Sequence, residues 1–320
     1  MTDTNTIDLH LVLRALNELG IPASLVGEAP EITKVCSLLH KEPHGLYYFT
    51  GDDPAIFEQL RSSVVLCNAS AGRPTGNNAA LVVEGDVQLA FYRLCAHLFN
   101  TAPAPGVHPT AVVHPEAVLG ANVHIGAYAV IGKCVIGAGS VLLPHVVVGN
   151  GCVIGERVRI EPHGCIGATG VVWVWGDDGK RVVLPQLGGV HIGDDVFLGA
   201  DVSIVRGILN ESTTIGSGTL IAPGTKVGHS VVIEADCHLA NNVSIAGSAR
   251  IGARSFLGSG CSVRSHAKLA QDTIVGAGAV VVADVVRAGL TIAGVPAVEL
   301  EAKGSRKGVP RARASATVPA

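Results

Sequence analysis

Aliphatic residues recur at every sixth position between Ile215 and Val281. The next residue is nearly always glycine or alanine, as in Ile215-Gly216 and Ile221-Ala222. A spacing of six fits neither the turn of an α-helix nor the alternation of a simple strand. It is typical of hexapeptide repeats, in which three short strands form one triangular coil and the coils stack into a parallel β-helix. We therefore predict a mainly β protein with aliphatic residues inside and small residues at the corners.

The repeat begins near Val107 and is interrupted twice, at Ala168–Val190 and at Arg206–Thr214. The first interruption is too long for a corner turn and carries both tryptophans of the chain. Loops that leave a solenoid commonly build a binding site or cover a neighbour. Trp173 and Gln186, both in this loop, are therefore candidate substrate-binding residues.

The residues before the repeat predict a small α/β domain. Residues 7–19 space their leucines as one face of a helix, and Val87–Phe99 predicts a second helix. Four apolar runs between them are predicted strands: Ala23–Val26, Leu46–Phe49, Val64–Cys67 and Leu81–Val83. The predicted domains are residues 1–103 (small α/β), residues 104–298 (β-helix) and residues 299–320 (a disordered basic tail).

Three aromatic residues, Tyr47, Tyr48 and Phe49, follow one another in a predicted strand. They either belong to the core of the strand or form a surface on which a flat base stacks, since aromatic faces bind bases with little sequence demand. Both interpretations stand at this point.

The composition narrows the class of protein. Hydrophobic residues are 48% of the chain, yet no stretch approaches the ~20 apolar residues of a membrane span. Met1 is followed by a polar segment, so no signal-peptide core is expected. The eight cysteines form no Cys-x-x-Cys pair, which favours a reducing cytoplasm. A net charge of −3 gives no sign of nucleic-acid binding.

Histidines at the coil edges are the candidates for chemistry. His229 follows Val227 by two residues, and Gly247 lies eighteen residues, or one coil, after His229. His266 falls on the same edge two coils along. Two interpretations are open. In the first, the three residues line one groove, in which Gly247 offers a backbone N–H to an oxyanion. In the second, the histidines are ordinary polar corner residues. No third histidine completes a zinc set, so we expect neither metal nor cofactor.

Three segments resemble one family, the UDP-3-O-(3-hydroxyacyl)glucosamine N-acyltransferases of lipid A biosynthesis: residues 106–112, 185–196 and 227–233. The resemblance implies a left-handed β-helix, a homotrimer and a uridine-binding N-terminal domain, with uracil near Tyr47–Phe49. It implies an acyl-carrier-protein thioester as donor and a UDP-linked amino sugar as acceptor. His229 takes the catalytic position, Gly247 that of the oxyanion amide, and His266 that of a second histidine in the site.

The chain departs from this family at several positions. Ala222-Pro223 stands where the family usually has Asp-Asn, which removes a carboxylate expected to orient the imidazole. Val205 replaces the aspartate of the family's Asp-Arg-Gly segment, and Gly294-Val295-Pro296 resembles the ending of acetyl-CoA-dependent acetyltransferases. Two alternatives follow: a sugar-nucleotide acetyl- or short-chain acyltransferase that uses acyl-CoA, and a non-catalytic protein that binds a nucleotide sugar.

Overall fold

The structure is a computed structural model that describes residues 7–99 and 102–300, without the side chain of Leu300. The chain divides into two compact units, Met1–Ala102 and Pro103–Ala320. The second unit begins one residue before the predicted domain boundary.

The described part of the first unit, residues 7–99, is a five-stranded sheet with three α-helices and a short 3-10 helix, Ala69–Ala71. Its elements are α1 (Leu9–Glu18), β1 (Ala23–Val26), β2 (Lys34–Val35), β3 (Gly45–Phe49), α2 (Ala55–Glu58), β4 (Val64–Cys67), β5 (Ala79–Val83) and α3 (Val87–Phe99). The sheet has the order β1-β5-β4-β3-β2, and only the β1–β5 pair is antiparallel. Asp8 caps α1 by accepting a hydrogen bond from the N–H of Leu11 at 2.7 Å. The sequence pattern missed β2 because two residues carry no periodicity.

The second unit is a parallel β-helix with three faces. The first face contains Gly106–Val107, His124–Ile125, Val141–Leu142, Arg159–Ile160, Phe197–Leu198, Leu220–Ile221, His238–Leu239, Phe256–Leu257, Ile274–Val275, Thr291–Ala293 and Val298–Leu300. The second face contains Val112–Val113, Val130–Ile131, Val147–Val148, Cys165–Ala168, Ser203–Val205, Lys226–Val227, Ser244–Ile245, Ser262–Val263 and Val280–Val281. The third face contains Val118–Leu119, Val135–Ile136, Cys152–Ile154, Val190–Ile192, Thr213–Ile215, Val232–Ile233, Arg250–Ile251 and Lys268–Leu269.

The aliphatic residues of the hexads fill the interior of the coils as one continuous core. The small residues follow at the corners, where successive coils approach closely. A Cβ on Gly216 would lie 2.5 Å from the backbone N of Ala235 on the next coil. The predicted parallel β-helix of hexapeptide coils, preceded by a small α/β region, is therefore confirmed.

Both predicted interruptions leave the coil. In the first, Trp173–Trp175 and Arg181–Val183 form an antiparallel hairpin, after which Val190–Ile192 resumes the third face beside Cys152–Ile154. In the second, the chain leaves after Ser203–Val205 and returns at Thr213–Ile215. These excursions are the places where the β-helix carries side chains that the repeat itself cannot supply.

The β-helix ends in a hairpin. Thr291–Ala293 continues the first face, and Val298–Leu300 turns back antiparallel to it. Glu299 and Leu300 therefore belong to the last strand, although both fall in the predicted tail; residues 301–320 of that tail lie outside the described residues. No helix in the described ranges is long and apolar enough to cross a membrane.

Candidate active site

The candidate catalytic residues meet at the corner between the second and third faces. Val227 pairs in register with Ile245 on the next coil. His229 and Gly247 each follow two residues later, so they occupy equivalent positions on neighbouring coils. The N–H of Ser248 donates to the carbonyl of His229 at 2.8 Å, which holds the two coils together at this corner.

His266 lies one position further round the same corner. Its equivalents on the two preceding coils are Ser248 and Ser230, and all three have a positive φ. The N–H of His266 donates to the carbonyl of Gly247 at 3.1 Å. The structure thus brings His229, Gly247 and His266 to one edge, as the spacing predicted.

Gly247 is the residue that leaves room for the imidazole of His229. A Cβ built on Gly247 would come within 2.3 Å of Cε1 and 2.4 Å of Nε2 of that ring. Among the described residues, no hydrogen bond uses the N–H of Gly247. The ring therefore lies against Gly247, beside a backbone N–H that has no acceptor among the described residues.

The Nδ1 atom of His229 is buried and has no hydrogen-bond partner among the residues the structure describes. Ala222, at the position where the resemblance leads us to expect an aspartate, carries only a methyl group and cannot be that partner. A buried polar atom without a partner costs about 1–3 kcal/mol. The imidazole is thus held by packing more than by hydrogen bonds.

A carboxylate nevertheless comes close to this histidine from the second excursion. Oε1 of Glu211 accepts a hydrogen bond from Oγ of Ser230, the residue after His229, at 3.0 Å. The same hydroxyl oxygen accepts from the N–H of Ile208 at 3.3 Å, which ties the loop to the corner. The backbone N–H of Glu211 and the Ser230 hydroxyl, with a smaller contribution from His229, lower the pKa of Glu211.

A groove of about 630 Å³ opens on the third face beside this corner. Its lining includes Ser230, Ser248, His266 and Glu211, together with a set of charged side chains: Arg250, Arg264, Lys268 and Asp284. Its volume lies within the range of small-molecule sites.

The hairpin of the first interruption exposes its aromatic residues. Trp173 is 39% exposed, packs edge-on against Trp175 at 5.0 Å, and has the guanidinium of Arg181 5.9 Å from its ring centroid. Gln186 is only 6% exposed and accepts a hydrogen bond from the N–H of Gly170, so it closes the base of the hairpin. For both residues, substrate binding stays a prediction.

The predicted aromatic cluster in the first unit separates into two environments. Tyr47 is fully buried, and its hydroxyl donates to the carbonyl of Glu42 at 2.7 Å. Tyr48 and Phe49 instead line a cavity of about 520 Å³ together with Phe91. The ring of Tyr48 lies 4.7 Å from that of Phe91. A stacking role for Tyr48 and Phe49 stays a prediction, while the burial of Tyr47 turns its ring away from solvent.

Two hexapeptide-repeat families match the β-helix. Residues 133–168 and 212–247 match the bacterial transferase hexapeptide (six repeats), and residues 189–225 match the hexapeptide repeat of succinyl-transferase. Among solved structures, the UDP-N-acetylglucosamine O-acyltransferase of Moraxella catarrhalis is similar, with a TM-score of 0.55 and 29% identity over 61% of this chain and 73% of that one. The corresponding acyltransferase of Francisella novicida gives 0.54 and 26% over 61% and 68%.

Relatives of known name identify the family within the hexapeptide-repeat proteins. The UDP-3-O-acylglucosamine N-acyltransferase of Methylobacillus flagellatus is 31% identical over 248 residues, which are 68% of this chain and 67% of that protein. The chain belongs to the UDP-3-O-acylglucosamine N-acyltransferase family. The family member of Paracidovorax citrulli is 40% identical over 205 residues, and the match spans 62% of this chain and 58% of that relative.

Sequence reasoning missed two features of this UDP-3-O-acylglucosamine N-acyltransferase family member. One is Glu211, which lies in an excursion outside the repeat. The other is the set of cations in the groove. A hexad register aligns coil positions with one another, but it cannot say where an excursion returns its side chains.

Proposed function

We propose that the protein is an N-acyltransferase of lipid A biosynthesis. It moves a 3-hydroxyacyl group from an acyl-carrier-protein thioester to the 2-amino group of a UDP-3-O-acylglucosamine. The observation that carries the proposal is the packing of His229 against Gly247, in a chain whose relatives are named UDP-3-O-acylglucosamine N-acyltransferases. A base and an oxyanion donor side by side are what acyl transfer to an amine requires.

The reaction follows from these two residues. His229 takes the proton from the sugar amine as the nitrogen attacks the thioester carbonyl carbon. The carbonyl oxygen becomes an oxyanion that the N–H of Gly247 stabilises. The tetrahedral intermediate then collapses, the C–S bond breaks, and the imidazolium returns its proton to the leaving thiolate. His266, on the same edge, contacts donor or acceptor.

Glu211 supports the charge that forms on His229. A negative charge near the corner stabilises the imidazolium that forms in the transition state as His229 takes the proton. The hydrogen bond from Ser230 keeps that carboxylate ionised and fixed beside the corner. Glu211 therefore supplies the negative charge that Ala222 cannot.

The assembly that we propose is a homotrimer in the cytoplasm. The outward residues of the third face begin as an exposed apolar row, with Val118 58%, Val135 42% and Val153 40% exposed. Flat apolar faces of this kind are covered when copies pack side by side. The eight free cysteines are consistent with a reducing compartment.

The decisive experiment is acyl transfer to UDP-3-O-acylglucosamine, with 3-hydroxyacyl carrier protein and acetyl-CoA offered in parallel. We expect transfer from the carrier protein and a loss of ~10²-fold or more in His229→Ala. Turnover from acetyl-CoA alone would support the short-chain alternative, to which the C-terminal ending points. Nucleotide-sugar binding without transfer from either donor would make the protein a non-catalytic binder.

A further inference from the structure

The outward-facing column of residues on the third face carries two positive charges at its C-terminal end. Pairing in register places these residues one above another on successive coils: Val118, Val135, Val153, His191, Thr214, Val232, Arg250 and Lys268. No Asp, Glu, Lys or Arg occurs in the column until its last two members, which are both cations. Neighbouring strands lie ~4.8 Å apart, and like charges at paired positions repel each other.

Within residues 7–99 and 102–300, neither the Arg250 nor the Lys268 side chain makes an ion pair or a hydrogen bond, so this pair of charges is not neutralised there. A third cation, Arg264, stands 3.8 Å from Oδ1 of Asp284, and the N–H of Lys268 donates to the same oxygen at 3.1 Å. The only other carboxylate among the described residues that line the groove, on Glu211, already accepts from Ser230. Three cations against two carboxylates leave the groove with a net positive charge.

The neutral groups around these cations also suit an anion. Ser248 and His266 line the same groove and can both donate hydrogen bonds. Guanidinium groups match the oxygens of a phosphate with two parallel hydrogen bonds, and an ammonium adds a point charge. An anion held here would relieve the repulsion between Arg250 and Lys268 and would lie beside the corner that carries His229.

We propose that Arg250, Arg264 and Lys268 form a phosphate subsite that binds a phosphate ester of a substrate. The inference rests on the proposed function, because both proposed substrates carry such a group. One source is the diphosphate of the nucleotide sugar, and the other is the phosphate of the pantetheine arm that holds the acyl chain. The chemistry is the same, and binding experiments separate the sources.

The test is calorimetric titration of the full chain with UDP and, separately, with 4′-phosphopantetheine. The variant Arg250→Gln/Lys268→Gln should bind one of the two roughly tenfold or more weakly, with a shallower dependence on salt. The variant Arg14→Gln/Lys180→Gln removes the same charge from exposed positions outside the groove and should bind like the wild type. Without ligand, the groove variant should melt at the same or a higher temperature, because it loses a repulsion.

The two titrations decide whether the phosphate subsite exists and which substrate supplies the phosphate. Weaker binding of UDP supports the subsite and identifies the acceptor as the source, whereas weaker binding of 4′-phosphopantetheine supports it and identifies the donor. Unchanged affinity for both would overturn the subsite. Because binding is measured without turnover, a failure of acyl transfer would remove the proposed function without deciding this test.

Discussion

The imidazole of His229 lies so close to Gly247 that a single methyl group on that glycine would come within 2.3 Å of the ring. The two residues belong to different coils, and nothing but coil stacking brings them together. The consequence is that the imidazole of His229 can take its position only because residue 247 has no side chain.

Replacing Gly247 by alanine should therefore impair catalysis more than folding. The new Cβ displaces the imidazole, whose side chain can rotate away, so we expect kcat/KM to fall by roughly 10²-fold with little change in Tm. The double variant with His229→Ala provides the control. Since alanine at 247 acts through the ring, it should add almost nothing once the ring is gone. Full additivity of the two losses would contradict this account.

Glu211→Gln should weaken the enzyme by removing a negative charge near the catalytic corner. The carboxylate accepts from the Ser230 hydroxyl, and its charge stabilises the imidazolium that forms as His229 takes a proton. We therefore expect kcat/KM to drop roughly three- to tenfold with little change in Tm. Glu211→Asp should restore part of the loss, and Glu116→Gln, on an early coil, should leave kcat/KM unchanged. An equal loss of activity and of Tm would mean that Glu211 only anchors its loop.

The two tyrosines of the first unit should respond differently to substitution. Tyr48→Leu removes a ring from the cavity and should weaken UDP binding by about 1 kcal/mol, roughly fivefold. Tyr47→Phe removes a hydroxyl that donates to the Glu42 carbonyl and accepts from the Glu42 N–H, and should cost about 1 kcal/mol of stability without changing UDP affinity. Titration calorimetry and urea unfolding of both variants check the pair. A reversed pattern would show that the cavity is not the nucleotide site.

Buried thiols should make the β-helix sensitive to alkali. Burial raises the pKa of Cys237 to about 12, whereas an unfolded thiol titrates near ~8.5. Below about pH 8.5 the Cys237 thiol is protonated in both the folded and the unfolded state, so its contribution to the free energy of unfolding is constant. As pH rises from about 8.5 towards 12, the unfolded state releases its proton first and stability falls by up to ~1.4 kcal/mol per pH unit. Urea unfolding between pH 7 and pH 10.5 should show a shallower loss for Cys237→Ala than for the wild type; equal slopes would refute the assignment.

Periodicity alone predicted the β-helix, the two excursions, and the edge shared by His229, Gly247 and His266. A hexad register is a local property, because each coil repeats the same three strands and each corner the same backbone. Position in the sequence therefore translates directly into position on the coil, and a resemblance carried by the same hexads supplied the proposed roles.

Other features depended on tertiary structure. The burial of Tyr47 beside the partly buried ring of Tyr48 follows from the packing of the sheet, in which neighbouring residues point to opposite sides. Glu211 reaches the catalytic corner because its excursion folds back onto Ser230, and no spacing rule describes that path. Arg250 and Lys268 lie eighteen residues apart, so the register already places them on neighbouring coils, but only the folded chain shows the groove and the carboxylates around them. The sequence determined which residues share an edge of the coil, whereas the folded chain decided which charges meet there, because long-range packing governs the excursions and the outer surface.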